Sequence, residues 1–207
     1  MSGLKGRWFP LAVLVAAVAA LIASFVWVAG SRSGPAGRGA MGVVSREGPV
    51  HSMADADRAA ARFATRWNLH VGEVMQFSNG YYAELLAPNG SRATEVLVDP
   101  AGGAVRVEFG PAMMWNTAYG MMRAPRQSGA PAVRPDQAVR IADRWLSEHQ
   151  PGLHAAEPDR FPGYYTLHTL RGGHVVGMLS VNATTGEVWY HTWHGRFIQM
   201  REHGGST

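Results

Sequence analysis

Histidine and methionine are the side chains of this chain with the most chemistry to offer. His168, His174, His191 and His194 crowd toward the C-terminus, with Met178 among them. Imidazole and thioether ligands suit copper, and imidazole suits zinc as well. If a hairpin turning at Thr184–Thr185 pairs Ser180 with Trp189, Met178 falls opposite His191 on one sheet face. His168, Met178 and His191 are therefore the candidate metal ligands, for copper or zinc. The competing reading is a half-exposed polar strand face, and a register slip of one residue would turn the set over.

A second set is Met113-Met114-Trp115-Asn116-Thr117-Ala118-Tyr119-Gly120-Met121-Met122. So many methionines suit Cu(I) or a flexible hydrophobic partner. Drawn as a helix, the segment places Met114, Ala118 and Met121 on one face, which packing on a sheet also explains. Near the C-terminus, strand alternation puts Trp189 and Trp193 on the side of His191. Met113, Met114, Trp115, Met121, Met122, Trp189 and Trp193 are the partner-binding candidates.

Several chemistries are excluded. The chain has no cysteine, which removes disulfides, thiolate metal sites and cysteine nucleophiles. It contains no H-E-x-x-H, G-x-S-x-G or P-loop pattern. A Ser-His-Asp set assembles in space rather than in sequence. No positioned nucleophile–base pair is visible, so the expectation is a protein that is not an enzyme and has no resident organic cofactor. Gly37-Arg38-Gly39-Ala40-Met41-Gly42 satisfies the dinucleotide fingerprint formally, but no strand precedes it and no helical pattern follows. The 19 Lys+Arg against 15 Asp+Glu suggest a basic protein. The excess lies at Lys5, Arg7, Arg32, Arg38 and Arg46, and the charges beyond residue 50 balance. A nucleic-acid footprint needs clustered positive charge on the folded part, so no nucleic acid is expected.

The elements that would carry these groups begin with an apolar run. Residues 1–7 are a basic flank, and residues 8–30 contain no charge and have Trp8 and Trp27 near their ends. A span of that length crosses the ~30 Å hydrocarbon layer as a helix, and exceeds the roughly 7–15 residues of a cleavable signal's apolar core. The expectation is a single-pass anchor with its N-terminus inside and the remainder on the outer side of the cell membrane, with cleavage at the small residues Ala29-Gly30-Ser31 as the alternative. Residues 31–50, rich in Gly, Ser and Pro, read as a flexible linker.

The rest of the chain repeats itself. Ala61-Arg62-Phe63-Ala64-Thr65-Arg66-Trp67 matches Val139-Arg140-Ile141-Ala142-Asp143-Arg144-Trp145. Gly80-Tyr81-Tyr82 matches Gly163-Tyr164-Tyr165, and Val98-Asp99-Pro100-Ala101-Gly102-Gly103-Ala104-Val105 matches Val181-Asn182-Ala183-Thr184-Thr185-Gly186-Glu187-Val188. On this alignment Leu85, Ser91, Glu95 and Glu108 stand where the second copy has His168, His174, Met178 and His191. Each copy opens with an apolar stripe at helical spacing: Ala60, Phe63, Ala64 and Trp67, then Ala138, Ile141, Ala142 and Trp145. Strands follow over 81–87, 93–99 and 105–109, and over 164–170, 174–182 and 187–193, with 71–77 as a further strand of the first copy. Asn89-Gly90, Gly172-Gly173 and Thr185-Gly186 mark hairpins. The predicted fold is α+β: a transmembrane helix, then two units, each a helix packed on an antiparallel β-meander. The units occupy residues 51–122 and 134–200, joined by a linker over 123–133, and residues 201–207 form a tail.

The helix closing on an aromatic, the Tyr-Tyr strand and the Val98–Val105 and Val181–Val188 turns resemble the PepSY domain, whose units end in V-D-x-x-T-G-x-V. The first copy lacks the Thr, and the second has Asn182 in place of the Asp. The resemblance implies a cystatin-like α+β unit, found in tandem in membrane-anchored bacterial proteins and in metallopeptidase propeptides. It carries no catalytic residues and implies a partner that is a peptidase or another envelope protein.

Overall fold

The computed structural model describes residues 48–121 and 132–202. The apolar run over 8–30, most of the 31–50 linker, Met122 and most of the 123–133 connection lie outside these residues. Among the described residues no helix is long and apolar enough to cross a membrane.

Helix α1 spans Met53–Thr65 and buries Ala56, Ala59, Ala60, Phe63 and Ala64, the stripe expected of a helix with one apolar face. Ser52 caps it by accepting from the Asp55 amide at 3.2 Å, while Asp55 accepts from the His51 amide at 3.2 Å. Strands β1 (His70–Phe77), β2 (Gly80–Leu86), β3 (Arg92–Val98) and β4 (Val105–Val107) follow as an antiparallel meander. A short helix α2, Pro111–Met114, ends the first repeat. The helical register does not continue to Met121. Asn116 intercepts the backbone, its Oδ1 accepting from the Ala118 and Tyr119 amides at 3.0 and 2.8 Å.

The second repeat has the same order. Helix α3 (Pro135–His149) starts at a proline, and the Arg134 amide donates to Gln137 Oε1 at 2.8 Å. Strands β5 (His154–Phe161), β6 (Tyr164–Arg171), β7 (His174–Asn182) and β8 (Val188–Tyr190) form the second meander. The turn at Thr184–Thr185 pairs Ser180 with Trp189. Both opening strands carry a bulge at the matching place, Val71/Val74 and Ala155/Pro158. Pro158 is tolerated there because β5 is an edge strand. The chain then returns as β9 (Phe197–Arg201), which pairs antiparallel with β1 of the first repeat. The sheets are thus five-stranded, β4-β3-β2-β1-β9, and four-stranded, β5-β6-β7-β8.

Each sheet has one face under its own helix. Phe63 and the alanines of α1 pack with Val74, Ala83, Leu85, Val96 and Val98, while Ala138, Ala142 and Leu146 of α3 pack with Tyr165, Leu167, Leu179 and Val181. The other faces of the two sheets meet each other. Met75, Phe77, Tyr82 and Met178 form an apolar part of that interface, and its remainder is polar.

One detail of the repeat differs from the motif alignment. Tyr81 lies under α1, opposite Val98, but Tyr164 lies opposite Asn182 and Tyr165 opposite Val181. The two Tyr-Tyr strands are therefore out of phase by one residue. Because side chains alternate between faces, that step moves Tyr164 from the helix side to the sheet–sheet side. The structural counterpart of His168 is then Glu84, not Leu85, while Glu108 and His191 remain equivalent. The Glu108 amide donates to the Glu95 carbonyl, and the His191 amide to the Met178 carbonyl.

Candidate functional site

The polar half of the sheet–sheet interface is one connected network. Glu95 on β3 is fully buried. Its carboxyl accepts from Tyr82 Oη at 2.8 Å, Tyr164 Oη at 2.7 Å and Thr166 Oγ1 at 2.8 Å. Three donors on one carboxyl satisfy a group that burial would otherwise make very costly. Burial, with the Glu108 charge adding to it, holds the Glu95 carboxyl well above the ordinary range against the pull of those hydroxyls. From Thr166 the network passes to Ser180 Oγ at 3.0 Å and from Ser180 to His191 Nε2 at 3.0 Å.

On the far side of His191 stands Glu108, just beyond β4. Its Oε1 accepts from His194 Nε2 at 2.7 Å and from Trp193 Nε1 at 2.9 Å, and lies 3.6 Å from His191 Nδ1. Burial opposes the Glu108 charge, but His191, His194 and Trp193 outweigh it and hold this carboxyl below the ordinary range. His191 is pushed down to about 4, chiefly by its own burial. Among the described residues, the buried atoms Glu108 Oε2, His191 Nδ1 and His194 Nδ1 have no hydrogen-bond partner.

Ser180, His191 and Glu108 stand in the order of a hydrolase relay. Two features of the geometry stand against such a relay. Ser180 is fully buried and its Oγ is shared with Thr166, so a substrate carbonyl has no approach. The 3.6 Å from His191 to Glu108 is also too long for the orienting hydrogen bond.

The residues singled out by sequence fall in three places. Met178 lies beside His191 across the β7–β8 hairpin and beside His168 across β6–β7. His168 and His191 are thus two strands apart, roughly 9–10 Å at normal strand spacing. Their ring nitrogens have separate partners, Glu73 at 3.1 Å for His168 and Ser180 for His191. Met178 packs with Met75, Phe77 and Tyr82. The structure joins His191 to Glu108 and His194 rather than to His168. Glu108 was visible only as the repeat counterpart of His191, and nothing in the spacing of either repeat pointed across to it.

His168 instead faces a second polar region, a groove of about 400 Å³ that Glu73, Glu84, Arg92, Glu157, Asp159 and Glu202 help to line. Arg92 bridges Glu84 and Asp159. Burial alone would lower the His168 pKa, but the Glu73 hydrogen bond and charge, with Asp159 and Glu202, raise it above 6.5. A raised histidine stabilises the fold fully below its unfolded value and loses that contribution as pH rises through its folded value. An NMR titration of the His168 ring is expected to give a midpoint above 6.5. His168→Gln should flatten the fall in stability across that window; an unchanged pH–stability curve would contradict this account.

The aromatic candidates gather at one place. Trp115 meets Trp189 edge-on at 5.6 Å between centroids, Trp189 meets Trp193 at 6.4 Å, and Phe109 lies 4.2 Å from Trp193. Phe109 is 38% exposed, Met114, next to Trp115 in the chain, is 47% exposed, and Met121, whose amide donates to the Met113 carbonyl, is 53% exposed. Met113 is half-buried against the first core.

No protein-family profile matches the chain, and no curated protein sequence does. Among solved structures it is similar to the Bacillus megaterium YpeB C-terminal domain, with 14% identity and a TM-score of 0.33 over 69% of this chain and 66% of that one.

Proposed function

We propose that this is a non-catalytic binding protein, anchored by residues 8–30 at the outer face of the cell membrane. Its paired α+β repeats dock an envelope protein, with a peptidase as the class that the PepSY-like motifs suggest. The observation that carries this reading is the Trp115–Trp189–Trp193 cluster, with exposed Phe109 against Trp193 and the exposed Met114 and Met121 in the segment that holds Trp115. Tryptophan and methionine are enriched in the cores of protein interfaces, where large rigid area and adaptable thioethers add affinity. The surface draws on both repeats, so it exists only when they are assembled.

Photo-crosslinking in intact cells tests it. A photoreactive phenylalanine analogue replaces Met114, Met121 or, as a control on α3, the exposed Glu148. The expected result is one discrete adduct from the first two positions in the membrane fraction, absent from the third. Trp189→Ala should abolish it. A folded, membrane-associated chain that gives no adduct, or gives the same adducts from Glu148, would refute the reading.

A further inference from the structure

We propose that Glu108, His191 and His194 form a binding site for one divalent transition ion of the zinc class, bridging the two repeats. One ligand atom from each of the three residues lies within 4.8 Å of the other two. An ion about 2.1 Å from each donor holds such atoms within about 4 Å of one another, so sub-ångström shifts complete the set.

The site is built rather than accidental. A simple ion pair between His194 and Glu108 uses Glu108 Oε1 alone. It leaves Glu108 Oε2 and His191 Nδ1 buried without partners. A cation held by one carboxylate oxygen and the two rings takes up the His191 Nδ1 lone pair, an atom otherwise costly to bury. The support around the ligands has the form that metal sites use, a second set of hydrogen bonds that orients the first. With His191 Nε2–H donating to Ser180, Ser180 to Thr166 and Thr166 to Glu95, the Nδ1 lone pair is left facing Glu108. Trp193 fixes the Glu108 carboxylate from another side. Access exists as well: a recess of about 150 Å³, walled by Phe77, Tyr81, Phe109 and Trp193, has His194 in its lining. Two imidazoles and a carboxylate without sulfur favour Zn(II) or Cu(II) over Cu(I), and three protein ligands leave a fourth position for water or a partner's side chain.

The test uses the full-length chain in detergent, stripped with chelator, then titrated with Co(II) and with Zn(II) in competition. Expected are a stoichiometry of one, a cobalt d–d spectrum of low coordination number, and a rise in melting temperature with Zn(II). His194→Gln and His191→Gln should abolish all three. Ser180→Ala should weaken binding about 10–100-fold. His168→Gln and Met178→Leu should leave it unchanged. X-ray absorption on the loaded wild-type chain gives a readout independent of any variant's folding: nitrogen and oxygen neighbours with imidazole scattering and no sulfur. A folded wild-type chain that binds no ion saturably, binding that survives loss of both histidines, or sulfur in the coordination shell would each overturn the proposal.

Discussion

Glu95→Ala is expected to remove about 5 kcal/mol of folding stability. The side chain leaves Tyr82, Tyr164 and Thr166 with hydroxyl donors aimed at nothing. Each orphaned buried group costs about 1–3 kcal/mol, and the space left behind adds to that. Folded domains hold only about 5–15 kcal/mol in total, so the variant should sit near the edge of unfolding. Its melting temperature should fall by about 10–20 °C. Glu95→Gln, which keeps the volume and one acceptor oxygen, should lose less than half as much. Chemical denaturation of the chain and both variants measures this, with a loss under about 1 kcal/mol for Glu95→Ala counting against the network. A sharper check combines Glu95→Leu with Tyr82→Phe, Tyr164→Phe and Thr166→Val. Removing donors together with their acceptor should recover much of the loss, because the cost lies in unmade hydrogen bonds rather than in apolar substitution.

Gly163→Ala is expected to be nearly as damaging, for a steric reason. Gly163 sits at φ +93 in the turn between β5 and β6, and a Cβ there would overlap the Trp115 carbonyl oxygen and lie 3.0 Å from Thr117 Cγ2. This is where the repeats touch backbone to backbone, the Thr117 amide donating to the Pro162 carbonyl at 3.0 Å. Left-handed strain costs about 1–2 kcal/mol, and displacing a packed backbone segment adds about 1–3 kcal/mol. Gly172 has φ +57 with open space around its Cβ position. Gly172→Ala therefore bears the strain alone and serves as the control. Equal losses for the two variants would show that the Trp115 contact does not constrain the junction.

How much of this was legible in the sequence depended on whether the deciding interaction was local. Both long helices announced themselves through alanine stripes and starting residues. The β7–β8 register followed from the Thr184–Thr185 turn, which placed Met178 across from His191. The polar network was not legible, because Glu95 meets Tyr164 and Glu108 meets His194 across two sheets, and no periodicity reports on a contact between repeats. The Tyr-Tyr motif misled by one residue, since matched letters do not guarantee matched faces. Strand β5 was hidden by its polar edge composition and Pro158, and β9 by being too short to pattern. Its pairing is set by the edge of β1 more than by its own residues.

The placement of β9 bears on how the molecule is made. Val74 stands opposite Arg201, so a strand that leaves the ribosome after the whole second repeat completes a sheet begun by the first. Chains commonly fold from the N-terminus as they emerge, and contacts between distant residues close late because a long loop must be ordered first. Until then β1 presents a row of unpaired amides and carbonyls, the kind of edge that recruits foreign strands. Translation that stops between Tyr190 and Phe197 leaves that edge open, and a product with both meanders already formed is then more prone to pair with foreign strands than one that includes β9.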